Sequence, residues 1–328
     1  MERRPGPLSN RVARHASHAA RKPPSLPIQV NFRFAETRPT VNDYELIDFG
    51  EGRKLERVGG CLLDRPSPAA EGIPRSYPKH WARADGGFER VRQDQGTWTW
   101  RRTPREPWVF RQGSVTLRLR ATPFGHLGVF PEHAVHWDWI ERHTRSSADS
   151  PRVLNLFGYT GGATLAASWP HTEVVHVDAS RPSVLWAREN ATHSHKDQHT
   201  IRWIVEDARV FCRREVKRGR AYDAIILDPP SYGHGAKGAT WSIERDLPDL
   251  LADCDTLLSR GREEGRAGFL LFTCHSPTFD AATTPRRLLE CMETLRDVPP
   301  HQQQHQRHRL NDAAGRSLDF GIVSRWTF

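Results

Sequence analysis

The chain of 328 residues has no C-x-x-C pair: its five cysteines, Cys61, Cys212, Cys254, Cys274 and Cys291, lie far apart. This argues against a zinc knuckle or a thioredoxin-type site, and an odd count without a disulfide framework fits a reducing compartment. No apolar run approaches the roughly 20 residues needed to span a bilayer. A secretory h-region is absent as well. The N-terminus is Arg-rich and acid-poor, but Pro5, Pro7, Pro23, Pro24 and Pro27 interrupt it, which weakens an amphipathic transit-peptide reading. The expected location is the cytoplasm, with no membrane among the partners. Hydrophobic residues are scarce too, at 37%.

Positive charge is plentiful. The formal net charge is +9, and the first forty residues hold eight Arg or Lys against two Glu. A basic, Pro- and Ser-rich arm without periodicity is expected to be disordered, and such arms release counterions on contact with a polyanion such as RNA. Three regions are expected: a disordered basic tail over 1–40, a small β-rich domain over 41–148 on the substrate side, and a third domain over 149–328.

In the β-rich region, Tyr44–Phe49, Trp98–Trp100, Trp108–Phe110 and Val115–Arg120 alternate apolar and polar residues between Gly and Pro punctuation. Thr116, Arg118 and Arg120 share one face, expected to be exposed or to contact phosphate. From Pro151 onward, short apolar runs recur at Val153–Leu156, Val174–Val177, Ile201–Val205, Ala224–Leu227 and Gly268–Phe272. Charged helical segments separate them, at Ser183–Asn190, Ala208–Lys217 and Leu247–Leu258. Continuously apolar strands alternating with helices predict a doubly wound α/β domain with a mostly parallel sheet covered on both faces. Arg307–Leu310 and Gly321–Trp326 around Gly315 predict an antiparallel hairpin at its edge. His301–His308 reads as a polar connection before that hairpin.

Ligands of open α/β sheets bind beyond the carboxyl ends of the strands, so the residues just past each strand carry the signal. After the first comes Phe157-Gly-Tyr-Thr-Gly-Gly162, where glycines let the backbone bend tightly towards a ligand. After the second comes Asp178, placed to accept from two ribose hydroxyls. Glu206-Asp207 comes after the third and suits an adenine amine. Asp228-Pro-Pro-Ser-Tyr232 and Thr273-Cys-His275 come after the fourth and fifth. The glycine loop does not match the G-x-G-x-x-G of dinucleotide sites, which favours S-adenosylmethionine, a cofactor without a pyrophosphate.

Four motifs, Val153–Thr164, Val177-Asp-Ala-Ser180, Trp186–Ala191 and Leu227–Tyr232, together resemble the class I methyltransferase family that includes the bacterial 23S ribosomal RNA cytosine-5 methyltransferases. The resemblance extends upstream through Asp48–Glu56, Asp64–Pro68 and Phe124–Glu132, and covers roughly residues 42–328. It implies a seven-stranded Rossmann-like sheet and an enzyme that methylates an RNA base, the first expectation being carbon-5 of cytosine in large-subunit rRNA. Phe157, Tyr159, Thr160 and Gly161 would line the methionine and sulfonium end of S-adenosylmethionine. Asp178, with Ala179 beside it, would hold the ribose and Asp207 the adenine. Asp228 and Pro229 would border the target base, with Phe130 and Glu132 as pocket walls. The best-known ribosomal members begin with a PUA-type RNA-binding module, for which the forty residues ahead of the β-rich segment are too few. RNA affinity would then fall to the tail, the Arg101–Arg120 stretch and the β face.

Carbon-5 of cytosine becomes nucleophilic only after a thiolate adds to carbon-6. Cys274 is the cysteine placed for this, with His275 as base and Asp228 as a further catalytic group. If Cys274 is inert, nitrogens of guanine or another base are the better acceptors, oriented by Asp228 and stacked on Tyr232. Glu132, His133 and His136 lie at a helix start, and this chemistry asks for no metal. Two rivals stay open: a methyltransferase for small molecules or proteins, and a non-catalytic RNA-binding protein of the same fold. A homodimer through edge strands or the tail would leave no clear mark in the sequence.

Overall fold

The computed structural model describes Met1 and residues 43–92, 95–145, 150–234, 240–276 and 278–328. The tail expected over 1–40 lies outside these, Met1 excepted.

The N-terminal part begins with a five-stranded sheet of β1 (Tyr44–Gly50), β2 (Arg53–Val58), β3 (Cys61–Pro66), β4 (Gly86–Arg90) and β5 (Gly96–Trp100), paired in that order. Its pairings are antiparallel except β3 with β4. A hairpin of β6 (Val109–Gln112) and β7 (Val115–Arg118) comes next. Val115, Leu117 and Leu119 are buried, as the alternation requires. The opposite face is partly covered and its arginines are paired, although Arg120 stays exposed. It packs on α4 (Arg181–His193), with the Thr116 N–H donating to Ser194 Oγ at 2.9 Å, Arg118 pairing with Glu106, and Arg120 pairing with Glu189 over the Trp186 ring.

The second sheet has seven strands in the order β10 (Ile201–Val205), β9 (Glu173–Asp178), β8 (Arg152–Leu156), β11 (Ala224–Leu227), β14 (Phe269–Cys274), β16 (Ser317–Thr327), β15 (Gln303–Asn311). The first five run parallel, and β16 and β15 are antiparallel. This is the doubly wound sheet the sequence predicts, with the hairpin at its edge. The expected polar connection over 301–308 is instead mostly strand, because β15 begins at Gln303 and pairs with β16 along its length.

Each central strand is buried on both faces, and side-chain parity divides them between two cores. Leu154, Leu156, Ile225, Leu227, Leu270, Phe272 and Cys274 face α5 (Ala208–Lys217) and α6 (Ile243–Glu263). Val153, Val174, Ile226, Phe269 and Leu271 face α2 (Ala134–Arg145) and α3 (Gly162–Ala167). The second core continues through Val58, Leu63, Trp108 and Leu117, so the β-rich segment and the large sheet share packing across the expected boundary near residue 148. From Asp43 onward the described residues form one compact unit. Among them no helix is long and apolar enough to cross a membrane.

Candidate active site

Strand order reverses at β8, which pairs with β9 on one side and β11 on the other. The crevice beyond the carboxyl ends of such a pair is where doubly wound sheets bind ligands. A cleft of about 600 Å³ opens there, between the end of the sheet and the β-rich segment. Phe157, Tyr159, Asp178, Ala179, Asp207, Asp228 and Pro229 all line it.

The loop after β8 is backbone-strained. Phe157 and Tyr159 have φ of +58° and +49°, a left-handed conformation that costs a non-glycine residue about 1 kcal/mol or more. Gly161 continues at φ +91° as the residue capping α3, and its missing Cβ would sit 3.0 Å from the Ala187 Cβ. Asp178 helps hold the loop: its Oδ2 accepts from the Tyr159 N–H and its Oδ1 from the Ser180 N–H, both at 2.8 Å. Each oxygen keeps a lone pair for a ligand. Burial pushes this carboxyl above the ordinary aspartate value, against the lowering effect of the two N–H donors. Thr160 is turned away from the main cleft, donating its hydroxyl to the Gly128 carbonyl at 2.6 Å and lining a smaller recess that adjoins it.

Asp207 caps α5 and accepts from the Arg209 N–H at 2.9 Å and from its guanidinium at 2.7 Å. Burial raises its carboxyl, but the Arg209 contacts outweigh burial and leave it below the usual value. Asp228 Oδ1 accepts from Thr273 Oγ1 at 2.7 Å, and Asp228 Oδ2 lies 3.4 Å from His133 Nε2.

Cys274 does not join them. Its neighbour Thr273 points to Asp228, so strand parity sends the Cys274 side chain to the other face, among Leu270, Phe272 and α6. It is 1% exposed, it does not line the cleft, and burial, with the Asp228 charge adding, pushes its thiol up to about 12. Such burial disfavours the thiolate that a nucleophilic cysteine needs. His275 lines the cleft.

The opposite wall comes from residues partly missed in the sequence. Phe130 and Glu132 are there as expected, with Lys54, Arg65, Phe124, His126 and His133. Glu56, fully buried, pairs with Arg65 Nε at 2.6 Å and with Lys54 at 3.0 Å. Burial raises the Glu56 carboxyl, and these two cations more than reverse it. His133, His136 and His308 also converge, with ring nitrogens within 4.8 Å of one another, which treating 301–308 as a connection had hidden.

Residues 79–299 match the family of S-adenosylmethionine-dependent methyltransferases. A crystal structure of a SAM-dependent methyltransferase from Agrobacterium tumefaciens is 34% identical, superposes with a TM-score of 0.78, and covers 88% of this chain and 91% of that one. A methyltransferase structure from Streptococcus mutans, 14% identical with a TM-score of 0.65 over 87% of this chain and 75% of its own, shares the fold. Ribosomal RNA large subunit methyltransferase K/L of Hahella chejuensis is 32% identical over 154 residues, which is 46% of this chain and 20% of that protein. Ribosomal RNA large subunit methyltransferase I of Aeromonas salmonicida is 30% identical over 131 residues, 40% of this chain and 32% of its own length. The matched stretches thus span between a fifth and a third of these relatives. With its sheet order, its glycine loop and its family match, the chain belongs to the S-adenosylmethionine-dependent methyltransferase family.

Proposed function

We propose that this enzyme methylates a nitrogen of a nucleobase in RNA, ribosomal RNA being the first substrate to test. The observation that carries this reading is the rim of the cleft beside Asp228-Pro229. Phe124 is 51% exposed, Phe130 40% and Tyr232, next to the cleft-lining Ser231 and Gly233, 79%. Large rings left in water around a cleft suit stacking on a flat heterocycle. The names of the Hahella and Aeromonas relatives, both ribosomal RNA large subunit methyltransferases, point the same way. So do Arg83, Arg92, Arg102 and Arg105, all exposed on the β-rich segment.

The residues present fit the cofactor, since Asp178 offers two lone pairs from a carboxylate already fixed by two backbone donors. Asp178 would hold the ribose hydroxyls, and Asp207, through the lone pair left on Oδ2, the adenine amine. Phe157, Tyr159 and Ala179 would enclose the rest, while Thr160 and Gly161 shape the loop behind them. S-adenosylmethionine, when bound, supplies a methyl group on a sulfonium. Asp228 would accept a hydrogen bond from the acceptor N–H and aim the nitrogen lone pair, while Pro229 shapes the wall beside it. Such catalysis is mainly positioning and electrostatics. Nitrogen is favoured over cytosine carbon-5 because Cys274 is buried in the core among Leu270, Phe272 and α6 and does not line the cleft.

The test is mass-spectrometric nucleoside analysis of ribosomal RNA incubated with the protein and isotope-labelled S-adenosylmethionine. Label on a base nitrogen, with RNA binding that weakens steeply as salt rises, is expected. Label in 5-methylcytosine would overturn the nitrogen assignment, and cofactor binding without label in any RNA would overturn the acceptor class.

A further inference from the structure

Three imidazoles meet beside Asp228, and their surroundings decide which of them can take up a proton. His133 precedes α2, His136 lies in its first turn, and His308 comes from β15. Ring centroids are 5.3 Å apart for His133 and His308 and 4.6 Å for His136 and His308. Arg325, which can only donate, contacts His136 Nδ1 at 2.5 Å, so the His136 proton sits on Nε2. That proton also takes His136 Nε2 out of any metal-ligand set. His308 Nε2 donates to the Glu132 carbonyl at 2.7 Å, which leaves a bare lone pair on its Nδ1. Both rings are buried beside a guanidinium. Burial foremost, then the neighbouring cations, keeps His136 well below the ordinary imidazole value and brings His308 down to about 3.

His133 is placed differently. It is part-exposed, lines the cleft, and points Nε2 at Asp228 Oδ2, 3.4 Å away. The charged and titratable groups around it are Asp228 at the end of β11, Glu132 and His136 on its own segment, and His308 on β15. Arg325 stands behind these, and His275 lies just past β14.

Methylating an N–H nitrogen forms a nitrogen–carbon bond with the nitrogen lone pair. The carbon–sulfur bond breaks with its electrons going to sulfur, and the nitrogen releases one proton. We propose that this proton passes by way of Asp228 to Nε2 of a His133 ring that holds its own proton on Nδ1, so that His133 acts as proton acceptor paired with the carboxylate that orients the base. The proposal rests on the nitrogen-acceptor reading above. His136 and His308 wall His133 from behind and stay neutral.

Two measurements test it. In protein labelled with nitrogen-15 histidine and titrated from pH 8 to 5, His136 and His308 are expected to remain neutral. The Asp228→Asn variant should perturb the His133 signals selectively. Neighbouring rings that charge in this range, or His133 signals that ignore Asp228→Asn, would overturn the proposal. So would a stoichiometric transition metal retained by the purified protein and lost in His308→Ala. His133→Gln keeps a polar side chain beside Asp228 but cannot take the proton. It should bind S-adenosylmethionine like the wild type, turn over transcribed 23S rRNA about 100-fold more slowly at saturation, and lose the acid limb of the pH–rate profile. An unchanged rate and profile would overturn it. If the wild type methylates no RNA, the acceptor reading fails, and the nitrogen-15 titration alone decides where the proton can reside.

Discussion

The Tyr159 N–H and the Asp178 carboxylate meet at 2.8 Å, tying the strained loop after β8 to the end of β9. The carboxylate that holds the loop is also the one proposed to hold the ribose. Hydrogen bonds to a charged group contribute about 1.5–3 kcal/mol each. Asp178→Ala is therefore expected to weaken S-adenosylmethionine binding about 100-fold by titration calorimetry, and wild-type affinity in that variant would remove Asp178 from the site. Because burial raises this carboxyl, cofactor affinity should also fall, on acidification, at a higher pH than an exposed aspartate would give.

Gly158 lies directly over His176, and a Cβ there would stand 2.5 Å from the imidazole. His176 cannot easily yield, since its Nδ1 is 2.8 Å from Thr164 Oγ1, which in turn accepts from Asn155 at 2.7 Å. Gly158→Ala must lift the loop. We expect at least a 10-fold loss of cofactor affinity together with a destabilisation of about 1–3 kcal/mol, read by calorimetry and by urea unfolding. An unchanged dissociation constant would show the loop to be more compliant than this packing allows.

The large sheet was legible because its strands are short apolar runs that stop at Gly or Asp. Ile201–Val205, Ala224–Leu227 and the helix Ala208–Lys217 have the bounds the sequence predicts. β15 was read only from Arg307 on, and its start was hidden for the opposite reason. Gln303–Arg309 contains no apolar residue, so neither period shows, and its strand character comes from pairing with β16. The face of Cys274 was obscured by continuous burial: with both sides of β14 apolar, composition does not say which side meets the cleft. α6 starts at Ile243 rather than near Leu247, since Pro248 disguises its first turns. Lys54, Glu56 and Arg65 sit in charge-rich strands that read as exposed, but packing by other segments buries them.

Buried neutral histidines should dominate the stability of the protein in mild acid. Burial lowers His176 and His308 to about 3, and His136 lies well below the ordinary value. A ring whose folded value is depressed binds its proton in the unfolded chain first, so its stabilising contribution is present above about pH 6.5. That contribution is lost as pH falls towards the folded value, at about 1.4 kcal/mol per pH unit for each ring. Urea midpoints should therefore drop steeply between pH 6.5 and 5, above the range where most carboxylates titrate. His176→Gln, though less stable at neutral pH, should show a shallower slope. A flat profile across this window would mean that these rings are reached by water in the native state.

Thr273 and Cys274 offer opposite outcomes from adjacent positions. Thr273→Val removes the hydroxyl that donates to Asp228 Oδ1 while nearly preserving volume. Losing one hydrogen bond to a charged group, at about 1.5–3 kcal/mol, predicts turnover slowed by about tenfold or more with cofactor affinity retained. Cys274→Ala removes one buried sulfur from the core shared with Leu270, Phe272 and α6. It should cost about 1 kcal/mol of stability, lower Tm by a few degrees, and leave methyl transfer within about twofold of the wild type. The decisive contrast is which variant loses the labelled product. If Cys274→Ala loses it while Thr273→Val keeps it, or if Cys274 is trapped covalently on RNA carrying 5-fluorocytosine, then the thiol must reach the cleft by a rearrangement of β14. The acceptor would then be carbon after all.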